Sequence, residues 1–254
     1  MSVRPHRIAL YCFALSTSFC TPKAHIVNVE TSQYQFNAAD NTSEDSLIAR
    51  DIHPYKTKLD AIMNDVLAYS EQSMDKDQPE GLLGDFVTDA CLQKAGDYYK
   101  PADNHKIDFC FVNNGGLRAA LPKGNLIKGK IFELMPFDNE LIVVTLDGKK
   151  TKMLLDFIAA KGGMPVSGVK IGIKKNKAVN VLIGGQLFDS TLTYKILTSD
   201  YLANGGDNLS FLAETNEKEI IGLRARDAII EYLQEQTRQG NKIKIQLDGR
   251  IYRE

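Results

Sequence analysis

The chain has 254 residues, enough for one or two domains, and 43% of them are hydrophobic, an ordinary share for a protein with a real core. Lys and Arg number 31 against 32 Asp and Glu, a net charge of -1, so no global field selects nucleic acid or an anionic membrane as partner. Trp is absent, so any aromatic platform must come from Phe or Tyr, and Cys12, Cys20, Cys91 and Cys110 form neither a CxxC pair nor a zinc-ligand spacing.

In chain order, Arg4, His6 and Arg7 precede the apolar run IALYCFA at 8–14, which is too short to span a bilayer. LSTSFC follows and ends at Cys20. This arrangement predicts a secretory signal over 1–20. A small-residue run closing on a cysteine also resembles a bacterial lipoprotein signal, in which Cys20 becomes the lipid-bearing first residue; a plain signal cut near the same place is the alternative. Both readings export the protein to the periplasm or cell envelope, and a lipid anchor is then its link to a membrane. Residues 21–49 are polar and mixed and read as a tether, with an edge strand at 24–29.

From 50 to 254 the patterning is regular. PYKTKLDAIMNDVLAYS places Tyr55, Leu59, Ile62, Val66 and Leu67 on one helical face, with Pro54 at the start. EGLLGDFVTDACLQKAGDYY is a second helix with the stripe Leu82, Leu83, Phe86, Val87, Ala90 and Cys91. IDFCFV and LIVVTLDG read as strands, the second ending in an Asp-Gly turn. KKTKMLLDFIAAKGG is a helix closed by glycines. VKIGIKKNKAVNVLIGGQ reads as two strands about a polar turn, and TYKILTSDYL as a strand. LRARDAIIEYLQEQTRQG is a helix and KIKIQLDG a final strand. Helices and strands mix without strict alternation, which predicts one compact α+β (mixed α/β) domain over 50–254, a mixed sheet flanked by helices. Cys91 and Cys110 sit in apolar runs, as buried thiols or as one disulfide.

Three stretches between these elements carry polar chemistry. In NNGGLR, Asn113 to Arg118, a buried strand runs into two amides, two glycines and an arginine; the glycines let a ligand approach the backbone, and Arg118 offers a planar fork for a carboxylate or phosphate. In MPFDN, Phe137 is either a core residue or a flat face for a base, and Asn139 either reads the edge of that base or caps a turn. DYLANGGDN supplies Tyr201, a glycine pair and Asp207, whose carboxylate suits the adjacent hydroxyls of a ribose or its own backbone in a turn.

Taken together, FVNNGGLRAALPKGNLIKGKIFELMPFDNELIVVTLDG, PVSGVKI and YKILTSDYLANGGDNLSFL resemble the C-terminal domain of 5'-nucleotidases, in order and spacing, over about residues 50–254. The resemblance implies a domain that binds the nucleoside part of its substrate. It places Phe137 and Tyr201 as the two rings that sandwich the base, Asn139 on the base edge and Asp207 on the ribose hydroxyls. It places Asn113 and Arg118 on the phosphate and ribose side, and Gly168, in SGV, beside the base.

Full-length members of that family carry an N-terminal metallophosphoesterase domain with two divalent metals. Here the histidines are only His6, His25, His53 and His105, and DIH at Asp51 to His53 lacks the further ligands a dinuclear site needs. The expectation is therefore no catalytic residue and no metal in this chain, with the divalent metals on a separately encoded phosphoesterase partner. Near the position of a further family arginine this chain has Lys76 and Asp77, and Asp138 adds a negative charge beside the expected base site. The function expected is nucleoside or nucleotide binding in extracytoplasmic nucleotide breakdown together with that partner. The alternative is a non-catalytic exported nucleotide-binding lipoprotein, and a fold that has lost its ligand is the third reading.

Overall fold

The computed structural model describes residues 28–33, 45–215 and 217–254. The chain divides into two units, Met1–Ala49 and Arg50–Glu254. The expected signal over 1–20, with Cys20, lies outside the described residues, as does most of the expected tether. Residues 28–33 are described and carry no regular structure, so Asn28 and Val29 of the expected edge strand are not strand. Among the described residues no helix is long and apolar enough to cross a membrane.

In chain order the described elements are α1 (Ser46–Met63), β1 (Val66–Ser70), α2 (Leu82–Tyr98), β2 (Phe109–Phe111), β3 (Gly124–Ile127), α3 (Lys128–Leu134), β4 (Glu140–Asp147), α4 (Gly148–Ala160), β5 (Val166–Ser167), β6 (Val169–Lys174), β7 (Lys177–Ile183), β8 (Gln186–Leu187), β9 (Thr193–Ser199), α5 (Asp200–Ala203), α6 (Ser210–Ala213), β10 (Lys218–Arg224), α7 (Ala225–Arg238) and β11 (Ile251–Arg253). Strands β10, β4, β9, β2 and β5 lie side by side in that order. β9 and β2 are parallel, and the other three pairings are antiparallel.

Successive strand side chains face opposite ways, so each central strand feeds two cores. Leu141 and Val143 of β4, Leu197 of β9 and Cys110 of β2 enter one; Ile142 and Val144, Ile196, and Phe109 and Phe111 enter the other. The first core is closed by Leu83, Phe86, Val87 and Ala90 of α2 and by Ala228, Ile229 and Leu233 of α7. The second is closed by Leu154, Leu155 and Ile158 of α4 and by a second sheet, ordered β11, β6, β7, β8, through Ile171 and Val181. Burial on both faces explains why the central strands read as continuous apolar runs. This is the mixed sheet flanked by helices that the sequence predicts.

Several elements differ from the sequence expectation. The first helix begins at Ser46, carries Pro54 inside it and ends at Met63; Val66 to Ser70 is strand, paired with β3 and burying Leu67 and Ala68. The β-branched and aromatic residues there gain ladder bonds and a core contact that another helical turn would not supply. LIVVTLDG does not end in a hairpin turn. Asp147 is instead the N-cap of α4, its carboxylate accepting from Lys150 N at 2.7 Å. Asp147→Ala is expected to cost about 1 kcal/mol, seen as a lower urea midpoint with an unchanged slope. The expected strand at TYKILTSDYL stops at Ser199, and KIKIQLDG keeps only the bridge of Ile243 to Ser70. Cys91 and Cys110 are free, buried thiols and form no disulfide; burial pushes the Cys91 thiol up to about 12 and the Cys110 thiol up as well.

Candidate functional site

Sheet direction decides where the polar loops meet. β2 and β9 run parallel, so both release their following loops at the same edge of the sheet. β4 runs antiparallel to β9, with Leu141 opposite Ser199, so the loop that enters β4 arrives at that edge too. Crevices beyond the carboxyl ends of such strands are a common place for ligands. Asn113 to Arg118 follows β2, Met135 to Asn139 precedes β4, and Asp200 to Asn208 follows β9. The three loops enclose a cavity of about 390 Å³, lined by Asn113, Gly115, Gly116, Arg118, Phe137, Asn139, Tyr201 and Asp207. That volume lies within the range of small-molecule sites.

The glycine pair after β9 has a specific task. Gly205 sits at φ 94°, in the left-handed region. A Cβ on Gly206 would lie 2.5 Å from the Tyr201 ring, so only glycine lets the chain pass beneath that ring. Asp207 is itself left-handed, at φ 54° and ψ 27°, a conformation Asp tolerates better than most residues. The result is a network. The Tyr201 hydroxyl donates to Asp207 Oδ1 at 2.9 Å, and Asn113 Nδ2 donates to Asp207 Oδ2 at 2.7 Å. Asn113 is held close in turn: its Oδ1 would stand 2.9 Å from a Cβ on Gly116. The rings of Tyr201 and Phe137 are 49% and 54% exposed, unlike the core aromatics, and so present free faces at the cavity.

Arg118 is the cation in the cavity lining, and Lys76 stands nearby without lining it. Arg118 is exposed and donates to Gly115 O at 3.3 Å, and among the described residues no carboxylate pairs with it. Lys76 Nζ donates to Leu117 O at 3.0 Å, which brings its ammonium to the backbone beside Arg118. The charge of Asp138 is answered by Arg226, which pairs with it from the start of α7. Arg226 is buried, lies over the Phe132 ring at 4.1 Å and donates to Met135 O at 3.2 Å. Ala225 N donates to Asn139 O at 3.0 Å, so the start of α7 grips both ends of the loop that carries Phe137. Sequence reasoning missed Arg226. Its signal was weak: an arginine inside an otherwise amphipathic helix, with a partner nearly ninety positions away.

Gly168 does not join the others. β5 runs antiparallel to β2, with Ser167 opposite Cys110, so the chain leaves β5 at the amino end of β2, away from the cavity. Gly168 lines a different cavity, with Lys170, Asp248 and Arg250. Glycine is required there because φ is +82° and a Cβ would lie 2.8 Å from Asp108 O.

A dinuclear phosphoesterase centre does not fit the donors of the described residues. Asp51 and His53 are exposed on α1, and the one group of three acidic, His or Cys ligands among the described residues, Glu80, Asp85 and Asp248, contains no histidine. The arrangement at the main cavity suits a planar ring between aromatic faces, a diol on a carboxylate and an anion on a guanidinium.

Comparison with known proteins gives a consistent picture. The family model for the 5'-nucleotidase C-terminal domain matches residues 62–214. The chain is 27% identical over 233 residues to the trifunctional nucleotide phosphoesterase protein YfkN of Bacillus subtilis, covering 84% of this chain and 15% of that protein. It is 25% identical over 194 residues to a 5'-nucleotidase of Vibrio cholerae, covering 71% of this chain and 32% of that one. Among solved structures, a 5'-nucleotidase precursor from Thermus thermophilus superposes with a TM-score of 0.67 at 26% identity, over 83% of this chain and 43% of that one. The chain thus spans less than half the length of each of these relatives.

Proposed function

The chain belongs to the 5'-nucleotidase C-terminal domain family, and from that membership we propose that the cavity at the sheet edge binds the nucleoside part of a nucleotide. Phe137 and Tyr201 stack on the base, and Asn139 meets its edge. Asp207 accepts from the ribose hydroxyls, and Asn113 and Arg118 face the phosphate side, with Lys76 nearby. The single observation that supports this reading best is convergence: six polar and aromatic residues, drawn from three loops spread over more than ninety positions, line one cavity of ligand size. They are six of the seven ligand residues expected from the sequence.

Hydrolysis on this reading belongs to a separately encoded metallophosphoesterase, which supplies the divalent metals and the water nucleophile. Binding energy from base and ribose then serves to orient the phosphate at the partner's metals. Helix α1 supports a protein partner. Ile52, Tyr55, Leu59 and Ile62 recur at three- and four-residue spacing and are all exposed, an apolar stripe on a helix with no buried residue. A lipid-anchored binding protein without catalysis is the second reading, favoured by the donor set described above. In either case export rests on residues 1–20.

The test is calorimetric titration of the full chain with adenosine and AMP without added metal. Both are expected to bind, and Phe137→Ala and Tyr201→Ala are each expected to weaken binding by about 1–3 kcal/mol. If neither change moves the affinity, the sandwich assignment is wrong. Addition of a metallophosphoesterase partner separates the two readings: AMP hydrolysis that requires both proteins marks a split enzyme.

A further inference from the structure

Away from the cavity, the first turn of α2 meets the C-terminal segment around Arg250. Four carboxylates surround this single guanidinium: Asp89 and Asp248 bonded to it, and Asp85 and Glu80 close by. Arg250 has five N–H donors, and all are used. Nε donates to Asp248 Oδ1 at 3.0 Å, Nη1 to Asp89 Oδ1 at 2.7 Å and Val166 O at 3.0 Å, and Nη2 to Asp89 Oδ2 at 3.1 Å and Asp248 Oδ2 at 2.9 Å. The nearest guanidinium nitrogen is 3.6 Å from Asp85 Oδ1, outside hydrogen-bond range. Asp85 is buried, at 2% relative exposure, and its Oδ2 has no hydrogen-bond partner among the described residues.

An unpartnered buried carboxylate beside a second one is costly. Glu80 cannot turn away, because its Oε1 is fixed by the N–H groups of Asp248 at 2.8 Å and Gly249 at 3.1 Å. One oxygen each of Glu80, Asp85 and Asp248 lie within 4.8 Å of one another. Against Glu80 and Asp85 lies a cavity of about 10 Å³, room for one ion or one water, which Lys76, Asp77 and Asn114 also border; Asp248 stands outside its lining and joins the group through the 4.8 Å spread of the three oxygens.

We propose that Glu80, Asp85 and Asp248 form a binding site for one hard divalent cation of the Ca²⁺ type, held by oxygen ligands alone. The cluster is acidic, four carboxylates against one guanidinium and the Lys76 ammonium at the cavity's border, and a divalent ion offsets that excess. Oxygen-only donors at this spread suit calcium, which accepts irregular geometry, better than a transition metal. The ion ties the start of α2 to the C-terminal segment that leads into β11. Lys76, bonded to Leu117 O, and Asn114, in the β2 loop of the ligand site, border the same cavity, so the clamp also steadies that loop from behind.

The experiment uses the full chain, stripped with EDTA and titrated with CaCl₂ by calorimetry, with thermal melts alongside. One ion per chain is expected, with a rise in Tm of roughly 5 °C or more at hundredfold excess over Kd. Asp85→Asn, which keeps the shape, and Asp248→Asn are each expected to weaken calcium binding at least tenfold. Absence of calcium binding at millimolar concentration overturns the site. So does unchanged affinity in both variants. A proton shared between Asp85 and Glu80 is then what closes the pair, and it has its own signature. Burial raises the Asp85 pKa to about 8, with Glu80 and Asp89 adding to the rise and Arg250 opposing it. The folded state then holds a proton that the unfolded chain releases near pH 4, so stability falls as pH climbs from about 4 to about 8. Asp85→Asn would remove that slope.

Discussion

Replacing Asp207 with Ala is expected to weaken adenosine binding by about a hundredfold to about twenty-thousandfold. Each ribose hydroxyl that donates to a carboxylate is worth about 1.5–3 kcal/mol, and two such bonds are lost. At about 1.4 kcal/mol per factor of ten, that gives the stated range. The change removes more than a ligand contact. Asp207 is also what receives the Tyr201 hydroxyl and the Asn113 amide, so one ring face and one amide lose their anchor together. The backbone at 207 is left-handed, and alanine there adds a modest strain of its own. Asp207→Asn is the control: it tolerates the same backbone and keeps the bulk, but cannot accept from both hydroxyls at full charge. Titration of the wild type and both variants, with melts to confirm folding, decides the matter. Alanine binding adenosine within threefold of the wild type would remove the ribose from Asp207.

Gly163→Ala is expected to destabilise the fold by roughly 3–5 kcal/mol, the largest effect anticipated for so small a change. Helix α4 ends in a Schellman motif. Gly162 N donates to Ala159 O at 3.0 Å and Gly163 N to Ile158 O at 3.1 Å. Gly163 sits at φ 116°, and a Cβ there would stand 2.1 Å from Pro79 O and 2.8 Å from its carbonyl carbon. Backbone strain and a collision with backbone therefore coincide, and neither can be relieved by a side-chain rotation. Urea denaturation should show a much lower midpoint. A loss under 1 kcal/mol would mean that the Pro79 loop yields easily. Gly162→Ala, at φ 79° with only side-chain atoms nearby, should cost less.

Much of this was legible in the sequence because two periodicities do most of the encoding. The stripe through Leu83, Phe86, Val87 and Ala90 can only be a helix face, and the apolar run at Phe109 to Phe111 only a strand buried on both sides. The loops were legible through residue chemistry: paired glycines after strands, with an aromatic and an acid beside them. What failed was sensitive to distant partners. Val66 to Ser70 continues a helical pattern until β3 offers it a ladder, and β10 is a strand only because β4 lies beside it. Gly168 was placed by likeness of motif, and the antiparallel course of β5 carries it to the far end of the sheet. Arg226 lay beyond local reading for the same reason, since only the fold brings it to the loop that carries Phe137.

The edge arrangement of the three loops also bears on how such a domain varies over time. None of the hydrogen bonds that pair β4, β9 and β2 involves the residues that face the cavity. Exchanging Tyr201 for another ring leaves the strand ladder as it is, whereas Leu117, Leu202 and Ala203 of the same loops belong to the cores and hold the loops in place. Selection on ligand preference and selection on folding thus act on separable sets of positions. Redesigning ligand preference at this edge therefore means changing the residues that face the cavity while keeping the loops' buried leucines and the glycine beneath the ring.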